Sequence, residues 1–457
     1  MIQLVWLQFK HSWKIWVSSL FIFIVAGFLS GICLTGLFSL IQENNQVLLG
    51  KNDPTPIFLM PTVFGGLTLF FVIGGVIRLV INYFQEEYIL WTILGSNPTQ
   101  LSLLIGGQLA IVGAIGGFIG YLIAVPFTSY LYYWMQTIVG QTMLPSIQIN
   151  FSFSAFLVTI LFCFLLGGLG GFKHARKVFI RSQKDIFSFK KPSKRKFTLF
   201  LLLMIFLCLG ILCTCYYQIF ISLSKNKSTS FNSLGFQLCF IIIFTLLILL
   251  NLTGSVILPA VVKIWTRLLP REKSATVNTA YWEVLAKKDY LTSLLNPMIA
   301  GAVLLSGFSS IMVNILSQVA SRTVQEQNIE NLLIFILYVG APLLIILVNV
   351  LVITLVSGKQ QLATVNQLII LGFSSWEVLK VKIMEVLIYS LTFLLCSLSC
   401  NVLISIAVIK VAQISNGNAS GSWGVTFYWS LSICLGMFIV LSSIHIFQLK
   451  KYMQHVV

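Results

Sequence analysis

The sequence predicts an all-α protein, a polytopic bundle of transmembrane helices, on three observations. Of its 457 residues, 58% are hydrophobic and only 9% are charged. Several uncharged runs, such as 17–42 and 198–223, exceed the roughly 20 residues that a helix needs to cross a bilayer. Period-2 alternation of apolar and polar residues is absent, which excludes a closed barrel. The chain is therefore expected to cross a membrane as about ten helices.

The spans are predicted from the apolar runs and from the charged segments between them. The first run is longer than the apolar core of a signal peptide, and no A-x-A-like site follows it, so it is expected to remain as a span. The predicted spans are 17–40, 57–81, 101–127, 151–172, 198–222, 236–262, 291–315, 331–356, 383–409 and 425–447.

Basic residues are distributed unevenly over the segments between these spans. With the N-terminus inside, 24 of the 29 Lys and Arg residues fall on one side of the membrane. Lys and Arg are enriched in cytoplasmic loops, so both termini are predicted to be cytoplasmic. Topology and attraction to anionic lipids account for the net charge of +17, and no nucleic-acid partner is expected. The excess of Lys (22) over Arg (7) hints at an AT-rich genome and hence a bacterial cell membrane.

The residues that usually carry catalysis or bind cofactors are not arranged for either task. The nine cysteines form no C-x-x-C and are expected to pack as small apolar residues. No phosphate-binding G-x-x-x-x-G-K-[ST] loop occurs, so an enzyme activity, a metal or another cofactor is not predicted for this chain. An ion-coupled carrier usually has ionisable groups at mid-membrane. Here nearly all twelve acidic residues lie outside the spans, and Glu385, at the mouth of the ninth span, comes nearest.

An internal repeat appears when residue 93 is aligned with residue 370, because "ILGSNPTQL" (93–101) then falls on "ILGFSSWEV" (370–378). Residues 1–180 and 276–457 are predicted to be two copies of one four-span unit. Residues 181–275 are predicted to contain two connecting spans with basic flanks. The expected architecture is thus four, two and four spans.

Each copy contains a segment in which one helix is predicted to stop and the next to start; we call these the first elbow (83–104) and the second elbow (361–382). A glycine ends the first helix in the left-handed conformation, and a capped turn begins the next. The residues in these roles are Gly95, Asn97, Pro98 and Gln100 in the first elbow, and Gly372, Ser374 and Glu377 in the second.

The helix that enters the first elbow is amphipathic and acidic, with Glu86 and Glu87 side by side. It is predicted either to lie along the membrane surface or to continue the second span into the cytosol. Its acidic residues either dock a partner or form a solvated face that pairs with nearby lysines.

A longer pattern surrounds the first elbow: "EYILWTILGSNPTQLSLLIGGQLAIVGAIGGFIGYLIA" (87–124) has Glu87 seven residues before Leu-Gly, then a polar turn and a Gly-rich span. This pattern, together with the duplication and the topology, resembles the FtsX/MacB-type permeases of ABC transporters over about three quarters of the chain. The second copy keeps Leu371 and Gly372 but has Thr364 where the Glu is expected. The order of spans resembles bacitracin-resistance-type permeases, whose large extracellular domain is replaced here by the short segment 316–330.

The resemblance implies a membrane subunit without its own ATPase, which moves an amphipathic substrate such as an antimicrobial or signalling peptide, or a lipid-like molecule. Two copies of a separate ATPase would bind ATP and Mg and dock on the elbow residues named above together with Glu86 and Glu87. The alternative that the resemblance implies is a regulatory FtsX-like subunit that does not transport and that controls a cell-envelope partner.

Small residues at a spacing of four recur in the third and fourth predicted spans and let helix backbones approach closely. Either these pairs pack the helices within the four-span unit, or they form an interface along which helices slide during the transport cycle. The glycine pairs are Gly113 with Gly117, Gly116 with Gly120, and Gly167 with Gly171.

The uncharged, aromatic-rich segment 128–150 is predicted to be the longest external loop. It either forms an aromatic belt at the outer membrane interface or covers a lateral entrance for a ligand.

Overall fold

The structure is a computed structural model, and the part of the chain that it describes is almost entirely helical and contains no strand, which confirms the all-α prediction. It describes residues 13–42, 55–93, 96–139, 145–187, 199–222, 231–268, 274–311, 313–314, 340–355, 364–414 and 422–456. In chain order the helices are α1 (Trp13–Gln42), α2 (Thr55–Ile93), α3 (Pro98–Val139), α4 (Phe153–Phe187), α5 (Leu199–Tyr217), α6 (Phe231–Trp265), α7 (Ala275–Ala286), α8 (Lys288–Ile311), α9 (Gly340–Leu355), α10 (364–370), α11 (Ser375–Ile414) and α12 (Ser422–Val456).

Eight of the described helices are long and apolar enough to cross a membrane, which supports a multi-pass membrane protein. They are α1, α3, α4, α5, α6, α8, α11 and α12. The predicted second and eighth spans correspond to shorter apolar stretches, Val72–Ile81 within α2 and Gly340–Leu355. The total of ten spans and the order four, two and four stay predictions.

The acidic helix of the first elbow is not a separate element. It is the last part of α2, which runs without a break over 39 residues. At ~1.5 Å per residue, such a helix is about 58 Å long, well over the ~30 Å hydrocarbon core of a bilayer. The acidic helix therefore continues the second predicted span, and it is not a separate helix that lies along the membrane surface.

The first half of the predicted external loop 128–150 is also helical, because α3 continues to Val139, so this part of the loop prediction is wrong. Tyr132, Met135 and Gln136 follow helical spacing and are buried. The Tyr132 hydroxyl donates a hydrogen bond to the Pro145 carbonyl at 2.6 Å, and the Gln136 amide donates to the same oxygen at 3.3 Å. These bonds fold the chain after α3 back onto the helix and keep its last turns ordered.

Contacts between residues divide the chain into two compact units. Unit 1 comprises Met1–Arg195 and Asn328–Val356, and unit 2 comprises Lys196–Gln327 and Ser357–Val457. These boundaries differ from those of the proposed duplication. The predicted eighth span, α9, belongs to the unit that holds the first copy, and the connecting spans α5 and α6 belong to the unit that holds most of the second.

In unit 1, α3 lies between α1 and α4, and glycines set both contacts. A Cβ at Gly113 would clash with the Cys163 carbonyl of α4, and one at Gly120 would clash with the Ile24 carbonyl of α1. A Cβ at Gly117 would make a tight contact with Cys163, at 3.0 Å from its Cβ. Two glycine stripes on α3 therefore serve two different neighbours, since only a residue without Cβ allows such close approach. The remaining predicted glycines show the same pattern: Gly116 faces Phe23 of α1, while Gly167 and Gly171 face Leu109 of α3.

Unit 2 is built around α8, in which nearly every residue from Tyr290 to Ile311 is buried. The connecting helices pack within this unit. The Tyr216 hydroxyl at the end of α5 donates a hydrogen bond to the Leu403 carbonyl of α11 at 2.7 Å. The Trp265 indole at the end of α6 donates to the Thr392 hydroxyl of α11 at 3.1 Å.

The pairing of α11 with α12 uses hydrogen bonds where the corresponding pair in unit 1 uses glycines. The Asn401 amide donates to the Ser430 hydroxyl at 2.7 Å, and the hydroxyls of Ser405 and Thr426 share a hydrogen bond. All four side chains are buried. Polar side chains that bond across helices stabilise helix pairs in membranes, which is the role expected for an asparagine within a span.

Gly113→Ala should destabilise the protein by about 1–3 kcal/mol, because the added methyl group has no room against the Cys163 carbonyl. Gly107→Ala on the same helix is the matched control, since open space surrounds that position and alanine favours a helix by up to about 1 kcal/mol. Thermal unfolding of both variants in detergent measures the difference. Equal stability of the two would show that α3 and α4 are not in close contact.

Candidate functional site

The first elbow is a tight helix-to-helix turn with hydrogen bonds at both ends. The Ser96 backbone N–H donates to the Trp91 carbonyl at 3.0 Å, which closes the end of α2. The Asn97 side-chain oxygen accepts from the Thr99 backbone N–H at 3.1 Å and from the Thr99 hydroxyl at 2.9 Å. Asn97 is therefore the N-cap of α3, whose first residue is Pro98.

The second elbow closes α10 in a Schellman motif. The Phe373 N–H donates to the Leu368 carbonyl at 3.1 Å, and the Gly372 N–H donates to the Ile369 carbonyl at 3.0 Å. Gly372 has φ of 91°, in the left-handed region that side chains with a Cβ avoid. This position requires glycine.

A capping box opens α11 directly after this turn. The Glu377 carboxylate accepts from the Ser374 backbone N–H and from the Ser374 hydroxyl, both at 2.8 Å. In return, the Ser374 hydroxyl accepts from the Glu377 backbone N–H at 3.4 Å. The two residues thereby satisfy backbone donors that the start of a helix leaves free.

The two elbows share their backbone hydrogen bonds in the same alignment that reveals the sequence repeat. The bond from Ser96 to Trp91 corresponds to the bond from Phe373 to Leu368. The bond from the Leu101 N–H to the Asn97 carbonyl, 3.1 Å, corresponds to that from Val378 to Ser374, 3.0 Å. In the described residues, the two elbows thus share these two backbone hydrogen bonds with different side chains, and the duplication stays a prediction.

The structure describes the proposed docking residues to different extents. Glu86 and Glu87 lie near the end of α2, but their side chains, like that of Pro98, are outside the described part of the chain. Gly95 is also outside it. Asn97, Gln100, Ser374 and Glu377 are exposed.

A group of charged residues, two of them buried, follows the second elbow in α11 and meets α7; of these, the sequence pointed only to Glu385. The Lys382 ammonium donates to the Glu283 carboxylate of α7 at 2.9 Å and to the Glu385 carboxylate oxygens at 3.1 and 3.2 Å. Lys382 is only 2% exposed and Glu385 only 3%. The signal in the sequence was the spacing of three between Lys382 and Glu385, which puts the two charges on one face of a helix.

Lys287 extends this group to α10. Its ammonium lies 3.7 Å from the Glu283 carboxylate and donates to the Thr364 hydroxyl at 3.2 Å. Two lysines and two glutamates thus balance in charge and join α7, α10 and α11; we call these four residues the ion cluster. Thr364 occupies the place at which the FtsX/MacB-type pattern has its Glu, and here it accepts a hydrogen bond from Lys287.

The ion cluster has the properties of a structural connection between helices. Removing charges from water is unfavourable, and the loss is offset only where partners and hydrogen bonds surround them. Among the described residues, no group of three or more His, Cys, Asp and Glu side chains is arranged to hold a metal ion.

Large apolar side chains lie exposed on the second elbow. Ile370 is 84% exposed, Leu371 73% and Trp376 63%. We call these three residues the elbow patch. Apolar side chains grouped at a turn that is predicted to be cytoplasmic are typical of a contact surface for another protein.

Comparison of the chain with protein-family models, with curated proteins and with solved structures finds no match. The resemblance to FtsX/MacB-type permeases therefore rests on the sequence pattern and the duplicated elbow, and it stays a prediction.

Lys382→Met should destabilise unit 2 by about 3–5 kcal/mol, because Glu283 and Glu385 would keep their charges without the central partner. The triple variant Glu283→Gln, Lys382→Met and Glu385→Gln should recover much of this loss. Lys380→Met is the control: this exposed lysine lies 5.6 Å over the Trp376 ring and contributes about 1 kcal/mol or less. If thermal unfolding shows equal effects for Lys382→Met and Lys380→Met, the buried cluster does not stabilise the unit.

Gly372→Ala should raise the energy of the second elbow by about 1–2 kcal/mol, since alanine is strained at positive φ. The amides of Gly372 and Phe373 should then exchange their hydrogens faster. Gly436→Ala on α12, where nothing crowds the added methyl group, serves as the control in the same hydrogen-exchange measurement. Unchanged exchange at the elbow in Gly372→Ala would contradict the motif.

Proposed function

We propose that this chain is the membrane subunit of an ABC transporter of the FtsX/MacB type, powered by a separate ATPase that docks on the elbows. The observation that carries the proposal is the elbow itself, one capped turn built twice at matching positions of the two copies. A turn that precedes a long apolar helix in each copy suits a partner that acts on both copies. Two ATPase subunits, each binding ATP and Mg, fit this arrangement.

The ion cluster supplies a physical route from the second elbow to the membrane-crossing helices. Lys287 connects α7 to α10, and Lys382 connects α7 to α11, which continues for 40 residues. The buried Lys382 is costly to separate from Glu283 and Glu385, so α7 and α11 move together. The hydrogen bond from Lys287 to Thr364 joins α10 to them more weakly. A displacement of the elbow by an ATPase would therefore tilt α11.

The elbow patch provides the contact surface in this proposal. Truncating an apolar or aromatic side chain at the centre of a protein interface typically costs about 2 kcal/mol or more. Ile370, Leu371 and Trp376 expose enough apolar surface to act as such anchors. In the first copy, the corresponding contact would include Glu86 and Glu87. The two docking sites are thus expected to differ, one acidic and one apolar.

The substrate in this proposal is amphipathic, an antimicrobial or signalling peptide or a lipid-like molecule. The support is the multi-pass helical architecture together with the family resemblance. Fold-level analogy alone leads to the substrate class, so the first experiment concerns the ATPase.

The first test is whether an ATPase gene lies beside the gene for this chain, and the second is co-purification of the chain with that ATPase. Trp376→Asp, which places a charge in the elbow patch, should weaken ATPase binding by about thirtyfold, the factor that corresponds to about 2 kcal/mol. Trp423→Asp is the matched control, because this exposed tryptophan lies at the predicted outer end of α12. A Glu87→Lys variant tests the first elbow in the same way.

ATPase binding that survives the combination of Trp376→Asp with Glu87→Lys would rule out docking on the elbows. A second measurement separates transport from regulation. Antimicrobial peptides that raise ATP hydrolysis by the reconstituted complex support transport, whereas a complex that binds the ATPase but responds to no peptide favours the regulatory alternative.

A further inference from the structure

A cavity of about 500 Å³ lies in unit 2 between the end of α6 and helix α7. It is separate from the ion cluster and from the elbow patch. Its lining residues are Lys263, Arg267, Tyr281, Trp282, Leu285, Ala286 and Lys288. We call it the basic cavity.

Among the residues that the structure describes, the lining of this cavity carries three positive charges and no negative one. Lys263 and Arg267 are four residues apart, which puts them on one side of the chain where α6 ends, and Lys288 comes from the start of α8. The nearest acidic residue of α7, Glu283, bonds Lys382 instead, and Asp289 does not line the cavity. Three cations around one space repel each other, and an anion placed between them would relieve that repulsion.

The positive charge of Lys288 does not stabilise the helix that this residue begins. Lys288 is the first residue of α8, and a helix N-terminus carries a partial positive charge that disfavours a cation. An anion, in contrast, is attracted both by a lysine and by a helix N-terminus.

The surroundings of the cavity are those of a membrane boundary. Ile264 and Leu268, beside the two cations of the α6 end, are exposed, and so is Trp282 on α7. Tryptophan and tyrosine are enriched at the level of the lipid headgroups, and Lys and Arg extend their charged ends toward that level. The segment 263–288 is also predicted to be cytoplasmic, the side on which anionic lipids attract basic residues.

We propose that the basic cavity binds the phosphate group of an anionic phospholipid. Lys263, Arg267 and Lys288 would surround the phosphate, with Tyr281 and Trp282 at headgroup level. The acyl chains would lie along Ile264 and Leu268 at the surface of α6. A bound lipid of this kind would join α6 to the helix that carries Glu283 of the ion cluster, and so link lipid composition to unit 2.

The test compares lipid binding by the purified chain and by two charge-matched variants. The cavity variant is Lys263→Gln, Arg267→Gln and Lys288→Gln. The control variant is Lys173→Gln, Arg176→Gln and Lys380→Gln, which removes two lysines and one arginine that are exposed and lie outside the cavity. All six side chains are exposed, so both variants are expected to fold. Native mass spectrometry of the protein in detergent measures the binding of phosphatidylglycerol and of phosphatidylcholine.

The wild type should bind phosphatidylglycerol more tightly than phosphatidylcholine, and the cavity variant should lose about tenfold or more of that affinity. The control variant should stay within about twofold of the wild type. An unchanged cavity variant, or a control that loses as much, would show that general surface charge attracts the lipid and would overturn the proposal.

Inorganic phosphate is added in a further arm to distinguish a lipid from a free anion. Phosphate at millimolar concentration that displaces phosphatidylglycerol completely would identify a free-phosphate site and contradict the lipid assignment. A cavity variant that keeps its lipid affinity but loses a co-purifying ATPase would identify the cavity as a protein-docking surface, which also overturns the proposal.

Discussion

The fold depends on one constraint: backbone N–H and C=O groups inside a bilayer have no water to bond and must pair within the chain. Helices satisfy this condition residue by residue, and nearly all described residues of this chain are helical. Where a helix stops, other bonds must take over for the backbone groups that its ends leave free. At the second elbow, the Schellman motif at Gly372 and the capping box of Ser374 and Glu377 supply those bonds. The elbows are thus the places where such a chain can turn and still keep its backbone paired.

Apolar helices in a membrane gain little from hiding apolar surface, so close contact and polar bonds must hold them together. Unit 1 uses close contact, with Gly113 and Gly120 of α3 facing two different helices. Unit 2 uses hydrogen bonds such as that between Asn401 and Ser430. If the two predicted copies descend from one duplicated segment, they have kept two backbone hydrogen bonds of the elbow while the packing between helices has diverged.

The ion cluster connects the helices around the second elbow through charged side chains as well as through apolar packing. Glu283 lies on α7 and Lys287 caps its C-terminal end, while Lys382 and Glu385 lie on α11, far later in the chain. Because burial removes Lys382 and Glu385 from water, Lys382 needs both glutamates as partners, and this holds α11 against α7. This connection between α7 and α11 supports the proposed coupling to an ATPase. The basic cavity is also lined by residues of α7, the helix that carries Glu283.

The sequence by itself determined the helical class, most of the apolar helices, the N-cap residues Asn97 and Ser374, and the glycine of the second elbow. Each depends on residues close together in the chain: a run of apolar side chains, a glycine at a left-handed position, or a serine three residues before a glutamate. The tertiary structure decided that α2 continues into the first elbow and that α3 extends past its predicted end, where Tyr132 bonds Pro145. It also decided that Lys382 meets Glu283 and that three cations surround one cavity. Such pairings depend on which helices become neighbours, and no local pattern of residues specifies that.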